Sequence, residues 1–138
     1  MTTHEKLPRD RSGVTHRFTI NGHLKGYITA NCYPDGRLAE VFLVMDRVGT
    51  LERGMSNALA VMVSMALQHG IPLTKIVDKL RGMAFEPQGL TGNPAIPMVK
   101  SLADYLGRWL ELKFLESKPA QECQEHGEGQ GKGEGEPK

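Results

Sequence analysis

The alternation of apolar and polar positions predicts three β-strands in the first third of the chain. From Val14 to Ile20 every second residue falls on one face, as expected of a half-buried strand. The pair Asn21-Gly22 is typical of a two-residue hairpin turn, because both residues tolerate a positive φ. A return strand is then predicted from Leu24 to Cys32, and residues 33–36 (Tyr-Pro-Asp-Gly) predict a second turn. A third strand over residues 37–45 completes an antiparallel meander.

Beyond residue 50 the apolar spacing changes from two to nearly four, which predicts helices. The first helix extends to His69-Gly70, with Thr50 as its candidate N-cap. Its predicted core-facing stripe comprises Leu51, Met55, Ala58, Leu59, Met62, Met65 and Ala66. A second helix has Pro72 at its first position and ends at Gly82. Its predicted inward-facing residues are Leu73, Ile76, Val77 and Leu80.

Residues 83–97 contain three prolines and two glycines, which predicts a long irregular loop of the kind that often carries function. A last helix follows from about Pro97 to Leu115. Its apolar stripe comprises Val99, Leu102, Leu106, Trp109, Leu110 and Phe114. The predicted fold is therefore α+β, a three-stranded antiparallel meander followed by three helices packed on one face.

Length and composition indicate one small domain. The chain has 138 residues, of which 39% are hydrophobic and 24% charged. Residues 1–13 are predicted to be a flexible N-terminal arm, 14–115 a single domain, and 116–138 a disordered tail of low complexity. The start is polar and no apolar run reaches 18 residues, so we expect a cytoplasmic protein with no membrane partner.

The charge balance disfavours long polyanions as partners. Seventeen Lys and Arg oppose sixteen Asp and Glu, a net charge of +1, so we expect no duplex nucleic acid as a partner. Residues 116–138 hold six acids and three bases, which leaves ten acids and fourteen bases before them. That mildly basic part suits a small anionic ligand. The two cysteines, Cys32 and Cys123, match no zinc spacing and predict no disulfide framework, and Cys32 is interpreted as a small apolar filler.

The junction of the third strand with the first helix is a candidate anion site. The free N–H groups at a helix start attract anions, and Arg47 and Arg53 flank this start beside Gly49 and Thr50. An arginine can hold a phosphate through two parallel hydrogen bonds. The alternative is that Thr50 merely caps the helix, while the arginines are solvated or pair with nearby acids.

The loop before the last helix contains parts suited to a nucleoside. Phe85 could stack on a base, Asn93 could contact its edge, and Glu86 could accept hydrogen bonds from ribose hydroxyls, near the flexible Gly92. The alternative is that Phe85 plugs the core of a loop stiffened by proline. The histidines lack a second ligand at metal-binding spacing, and no catalytic triad or carboxylate pair is present. The chain therefore has the pattern of a binder rather than a catalyst.

Two features predict self-association into at least a homodimer. The first helix is rich in methionine, a residue that packs adaptably at interfaces. A three-stranded sheet covered on one side also leaves an open edge and an uncovered face.

Several of these segments together resemble the C-terminal TSCPD-type domain of adenosylcobalamin-dependent (class II) ribonucleotide reductases. The resemblance extends from about Val14 to Phe114, with the name-giving motif present in spaced form at Thr29, Cys32, Pro34 and Asp35. The other matching positions are Asp35-Gly36-Arg37-Leu38, Glu40-Val41-Phe42, Gly49, Arg53, Met55, Asn57, Ala60, Leu67 to Leu73, Phe85-Glu86-Pro87, Gly89, Gly92-Asn93, Ile96, Met98, Ser101 and Asp104-Tyr105.

The resemblance implies the fold and a link to deoxynucleotide metabolism. The family's corrin site and radical cysteine belong to a large upstream barrel that 138 residues cannot hold, and its redox cysteine pair is missing. We therefore expect no bound cofactor and no reductase activity from this chain alone. The predicted function is a non-catalytic nucleotide-binding module, with a separate reductase chain as a possible partner. Its predicted ligand-binding residues are Arg47, Gly49, Thr50, Arg53, Phe85, Glu86, Gly92, Asn93 and Arg108.

Two other functions stay open at the level of sequence. The strand-then-helix layout is similar in architecture to phage sponges that sequester cyclic nucleotide or cyclic ADP-ribose immune signals, and sequestration requires a basic, aromatic-lined pocket but no catalytic group. The other alternative is a ligand-free protein interaction domain in which the helical stripe binds a partner.

Overall fold

The computed structural model describes residues 4–46 and 51–116. The predicted meander is confirmed. The three strands, β1 (Ser12–Ile20), β2 (Leu24–Cys32) and β3 (Leu38–Met45), pair antiparallel in the order β1-β2-β3. The hairpin turn between β1 and β2 is built as its sequence indicates, with φ of 54° at Asn21 and 69° at Gly22.

The helices lie close to their predicted places. They are α1 (Leu51–Gln68), α2 (Leu73–Leu80) and α3 (Leu102–Glu111), and a π-helical turn over Leu112–Glu116 extends α3. The start of α3 is five residues later than predicted, because the Ser101 hydroxyl caps the helix by accepting a hydrogen bond from the Asp104 N–H at 3.0 Å.

The segment predicted as an irregular loop contains a second small sheet. Strand β4 (Gly89–Leu90) pairs antiparallel with β5 (Met98–Val99). The Thr91 N–H donates to the Pro97 carbonyl at 3.0 Å, and the Thr91 hydroxyl donates to the Ile96 carbonyl. These bonds close the segment into a compact hairpin.

The core lies between one face of the sheet and the helices, as predicted. α3 is buried almost all round, and the inward residues of α2 are buried or half-buried as expected. The fully buried large side chains of this core include Trp109, Tyr105, Phe114, Ile20, Ile28, Leu106 and Leu110. Within the described residues no helix combines the length and hydropathy needed to cross a membrane.

The predicted orientation of α1 is wrong. Its buried residues are Ser56, Ala60, Val63 and Leu67. From the predicted stripe only Leu59 and Ala66 pack against the core, whereas Leu51, Met55, Ala58, Met62 and Met65 are exposed. α1 instead turns the side that carries Val63, Ser64 and Leu67 toward the sheet. There the Ser64 hydroxyl accepts from the Val41 N–H at 2.8 Å and donates to the Val41 carbonyl at 3.0 Å.

Helix α1 therefore covers the β3 edge, one of the two edges of a sheet that was expected to have an open edge. The Gln68 amide also donates to the Ala39 carbonyl of that edge at 3.2 Å. An edge strand whose backbone groups are already hydrogen-bonded is a poor template for another strand. Homodimerisation thus stays a prediction, but the β3 edge does not support it.

The segment before β1 makes specific contacts. The Glu5 N–H donates to the Gln68 carbonyl at 2.9 Å, and the Tyr33 hydroxyl donates to the Glu5 carbonyl at 2.8 Å. Arg37 forms an ion pair with the Glu5 carboxylate at 2.9 Å. The flexibility of the predicted arm stays a prediction, although Glu5 within it contacts the domain. Strand β1 begins two residues earlier than expected.

Candidate functional site

The backbone around Phe85 is tied to the start of α3. The Phe85 N–H donates to the Lys100 carbonyl at 3.1 Å, next to the cis peptide bond between Glu86 and Pro87. The Phe85 side chain is 49% exposed, so the alternative in which it plugs the core is wrong. Glu86 and Lys100 are exposed beside it. This part of the loop presents an aromatic ring, a carboxylate and an ammonium group to solvent.

Asp104 organises the elements around this surface. Its carboxylate, which is fully buried, accepts hydrogen bonds from the Gly82 N–H at 2.7 Å, the Lys100 N–H at 2.8 Å and the Arg108 Nε at 2.9 Å. Burial by itself raises the pKa of Asp104, but the two backbone hydrogen bonds and Arg108 outweigh it, so the pKa lies below its ordinary value. A charged Asp104 thereby joins both ends of the loop to α3.

Of the two predicted cations within the described residues, Arg53 and Arg108, it is Arg108 that lies beside the loop. Its Nε is fixed by Asp104, and its side chain remains 35% exposed. Because the same carboxylate also holds the Lys100 backbone, Arg108 and Phe85 are connected through two successive hydrogen-bonded groups. We call the solvent-facing group of Phe85, Lys100 and Arg108 the Phe85 surface.

Asn93 supports the loop from within. Its Oδ1 accepts from the Ala95 N–H at 3.0 Å, and its Nδ2 donates to the Tyr105 hydroxyl at 3.1 Å. Both amide atoms are therefore already engaged in the chain, and contact with a base edge by Asn93 stays a prediction that these bonds do not favour. Gly92 has a φ of +76° with open space at its Cβ position, so glycine serves the backbone conformation there.

The hydrogen bonds that begin at Asn93 continue through Tyr105 to His16 on β1. The Tyr105 hydroxyl lies 2.7 Å from His16 Nε2, and the His16 ring stacks on Trp109 with centroids 5.2 Å apart. Burial, and then the charge of Lys113, lower the pKa of His16. Burial raises the pKa of Tyr105, opposed by the hydrogen bond from Asn93. A neutral His16 that accepts from the Tyr105 hydroxyl satisfies both groups.

The other predicted cation, Arg53, lies elsewhere. Its Nη1 donates to the Met45 carbonyl at 2.9 Å, at the end of β3. The loop contacts the same end of the sheet through the Asn21 N–H, which donates to the Leu90 carbonyl at 2.8 Å. The loop thus contacts the turn between β1 and β2, whereas Arg53 contacts β3, the other outer strand of the sheet. Arg47, Gly49 and Thr50 fall outside the described residues.

Sequence reasoning missed Asp104, Tyr105 and His16 as parts of the site. The spacing of Ser101 and Asp104 is that of a helix-capping motif and could have located the start of α3. No local pattern could have joined His16 to Tyr105, which are 89 positions apart.

Cys32 lies in the hydrophobic core, as expected of a small apolar filler, and it is also disulfide-bonded, which the sequence analysis did not predict. The residue is also buried, at the end of β2. Among the described residues no three His, Cys, Asp or Glu side chains come together to hold a metal ion.

Two cavities lined by described residues are too small for a corrin, whose site the resemblance assigns to an upstream barrel. One cavity of about 350 Å³ lies between α1 and α2, and another of about 270 Å³ lies beside Arg37, Pro72 and Phe114. The first is near the lower limit of about 300 Å³ for a drug-sized ligand and the second is below it, whereas a corrin is much larger. That the chain alone binds no cofactor stays a prediction.

Comparison with known proteins identifies relatives. The TSCPD domain family matches residues 2–114, starting twelve residues before the domain boundary expected from sequence. The chain is similar to proteins named vitamin B12-dependent ribonucleotide reductase, with 47% identity in Streptantibioticus cattleyicolor, 46% in Streptomyces coelicolor and 41% in Rhodopirellula baltica. Each match covers 80% of this chain, but only 18%, 11% and 11% of the respective relative. No solved structure matches.

The matched positions include the residues that build the loop and its anchors. Phe85, Asp104 and Tyr105 all lie within the range that the family covers. The loop hairpin, the capped α3 and the three-stranded sheet are thus features of the matched domain, not of a segment attached to it. This chain belongs to the TSCPD domain family.

Proposed function

We propose that this chain is a non-catalytic nucleotide-binding module linked to deoxynucleotide metabolism, and that the nucleotide lies on the Phe85 surface. The observation that carries the proposal is the exposed ring of Phe85 on a backbone that is hydrogen-bonded to the start of α3. A preformed loop loses little conformational freedom when a ligand binds.

The ring supplies the contact with the base. Stacking of a base on an aromatic side chain contributes about 1–3 kcal/mol and does not depend on which base is present. The neighbouring Glu86 carboxylate is exposed and has acceptor oxygens for sugar hydroxyls.

The two cations supply the contact with phosphate. Lys100 is exposed, and the Arg108 guanidinium keeps its terminal N–H groups available after Nε has bonded to Asp104. A guanidinium whose position is already fixed suits bidentate recognition of a phosphate. An anion would thus bind beside the ring rather than at Arg53, which lies at the end of β3.

The link to deoxynucleotides comes from the relatives. They are named ribonucleotide reductases, and this chain corresponds to a small part of each. We propose that it assists such a reductase by holding a nucleotide, while the chemistry belongs to a different polypeptide region.

Replacing Phe85 with alanine is expected to weaken nucleotide binding by about 1–3 kcal/mol, roughly five- to a hundredfold, and to leave folding nearly intact. A half-exposed side chain contributes little to the core, so the free energy of unfolding should fall by about 1 kcal/mol or less. The measurement is the melting temperature of each variant with ribonucleotides, deoxynucleotides and cyclic dinucleotides. At a hundred times its Kd, a ligand stabilises the wild type by about 2.7 kcal/mol.

Leu90→Ala is the matched control, because Leu90 lies on the same loop and is 64% exposed. It should keep the ligand-induced shift. Equal shifts in the Phe85→Ala and Leu90→Ala variants would exclude the Phe85 surface. A wild-type response to cyclic dinucleotides alone would instead support the sponge, which stays a prediction.

A further inference from the structure

We propose that the groove between α1 and α2 docks an acidic amphipathic helix from another polypeptide. This site lies apart from the Phe85 surface and goes beyond the proposed nucleotide binding. The first observation is the outer side of α1, which exposes large apolar side chains along its length. These are Leu51, Met55, Val61, Met62 and Met65. A contiguous apolar stripe on a small domain marks an interaction surface.

The stripe continues into a cavity. The groove has a volume of about 350 Å³, with Met62 and Ala66 on its α1 side and Ile76 and Leu80 on its α2 side. Met62 is 60% exposed at its rim. Methionine side chains adapt to the shape of a partner, and apolar grooves between helices are typical acceptors of a third amphipathic helix.

The positive charge at the rim of the groove indicates an acidic partner. Lys75 and Lys79 line the groove one helical turn apart on α2, and neither forms an ion pair with any residue in 4–46 or 51–116. Two ammonium groups in a row favour a helix that carries carboxylates along the flank of its apolar face.

A second copy of this chain matches that charge pattern poorly. The sequence of α1 from residue 54 to residue 68 contains no acidic and no basic residue. An α1 from another copy would therefore bring methionine and valine to the groove, and its one carboxylate, that of Glu52 in the first turn, is followed directly by the cation Arg53. The relatives also carry this domain as 9–18% of a much longer chain, so in them other polypeptide adjoins it.

The test uses two fluorescent model peptides of about 18 residues, long enough for five helical turns. Both carry the same leucine stripe, one flanked by glutamates and the other by lysines. Fluorescence anisotropy with the full chain should show that the glutamate peptide binds at least about tenfold more tightly. Met62→Glu should abolish this binding. Met98→Glu is the matched control, since Met98 is also 60% exposed but lies on β5.

A double variant tests the role of the two lysines. Lys75→Glu combined with Lys79→Glu should reverse the preference toward the lysine peptide. Equal binding of both peptides, or equal loss in the Met62→Glu and Met98→Glu variants, would overturn the proposal. A wild-type dimer in sedimentation that Met62→Glu dissociates would also overturn it in favour of a second copy. Phe85→Ala should leave peptide binding unchanged, which separates this proposal from the nucleotide site.

Discussion

Replacing Asp104 with alanine is expected to lower the free energy of unfolding by about 3 kcal/mol or more, because its buried carboxylate accepts three hydrogen bonds and each bond to a charged group contributes about 1.5–3 kcal/mol. The substitution leaves the N–H groups of Gly82 and Lys100 without their acceptor and frees Arg108 from its carboxylate. Because these bonds join both ends of the loop to α3, the loss should reach the Phe85 surface as well. Urea unfolding at pH 7 measures the change, and a loss below about 1 kcal/mol would contradict the role of Asp104.

The acid dependence of stability gives a second readout for Asp104. The folded state holds the pKa of Asp104 below its ordinary value, so the unfolded chain binds this proton more readily. The stabilisation is therefore complete above the ordinary Asp pKa of about 3.9 and is lost as the pH falls through the lower folded-state pKa. Asp104→Asn should remove this acid-dependent part of the unfolding free energy. Asp78→Asn, at an exposed position of α2, should retain it.

Replacing Trp109 with alanine is expected to cost about 3–5 kcal/mol, as for other large aromatic side chains removed from a core. The Trp109 ring is 1% exposed, stacks on His16, and meets Phe114 edge-on with centroids 6.1 Å apart. Thermal or urea unfolding measures the loss. Tyr27→Ala is the control, because Tyr27 is exposed on the opposite face of the sheet, and it should cost about 1 kcal/mol or less.

Trp109→Phe distinguishes packing from polar effects. The Trp109 Nε1 is buried without a hydrogen-bond partner among the described residues. Phenylalanine keeps an aromatic ring and removes that donor, so its cost should be clearly smaller than that of alanine. Equal losses in the two variants would contradict this expectation.

Periodicity predicted the elements of the fold but not the orientation of α1. The strand pattern and the Asn21-Gly22 turn are local signals, and the structure confirms them. In α1 both sides are apolar enough for the core, so spacing alone could not select one. The side facing β3 contains Ser64 because its hydroxyl satisfies the backbone of an edge strand, a long-range requirement that hydrophobicity does not reveal.

In the candidate site, too, local sequence signals identified single residues but not how the fold brings them together. Phe85 was identified because an aromatic residue beside proline and glycine stands out within a loop, and its exposure keeps the stacking hypothesis open. Its placement with Lys100 and Arg108 depends on the buried carboxylate of Asp104, and the separation of Arg53 depends on the order of the strands. Both are consequences of tertiary structure.

The most direct test of the central claim is the titration of the isotope-labelled full chain with dATP, followed by the amide signals in NMR spectra. We expect saturable shifts concentrated at Phe85, Lys100 and Arg108, with the signals of α1 unchanged. Shifts concentrated at Arg53, or no saturable shift at any residue, would contradict the central claim.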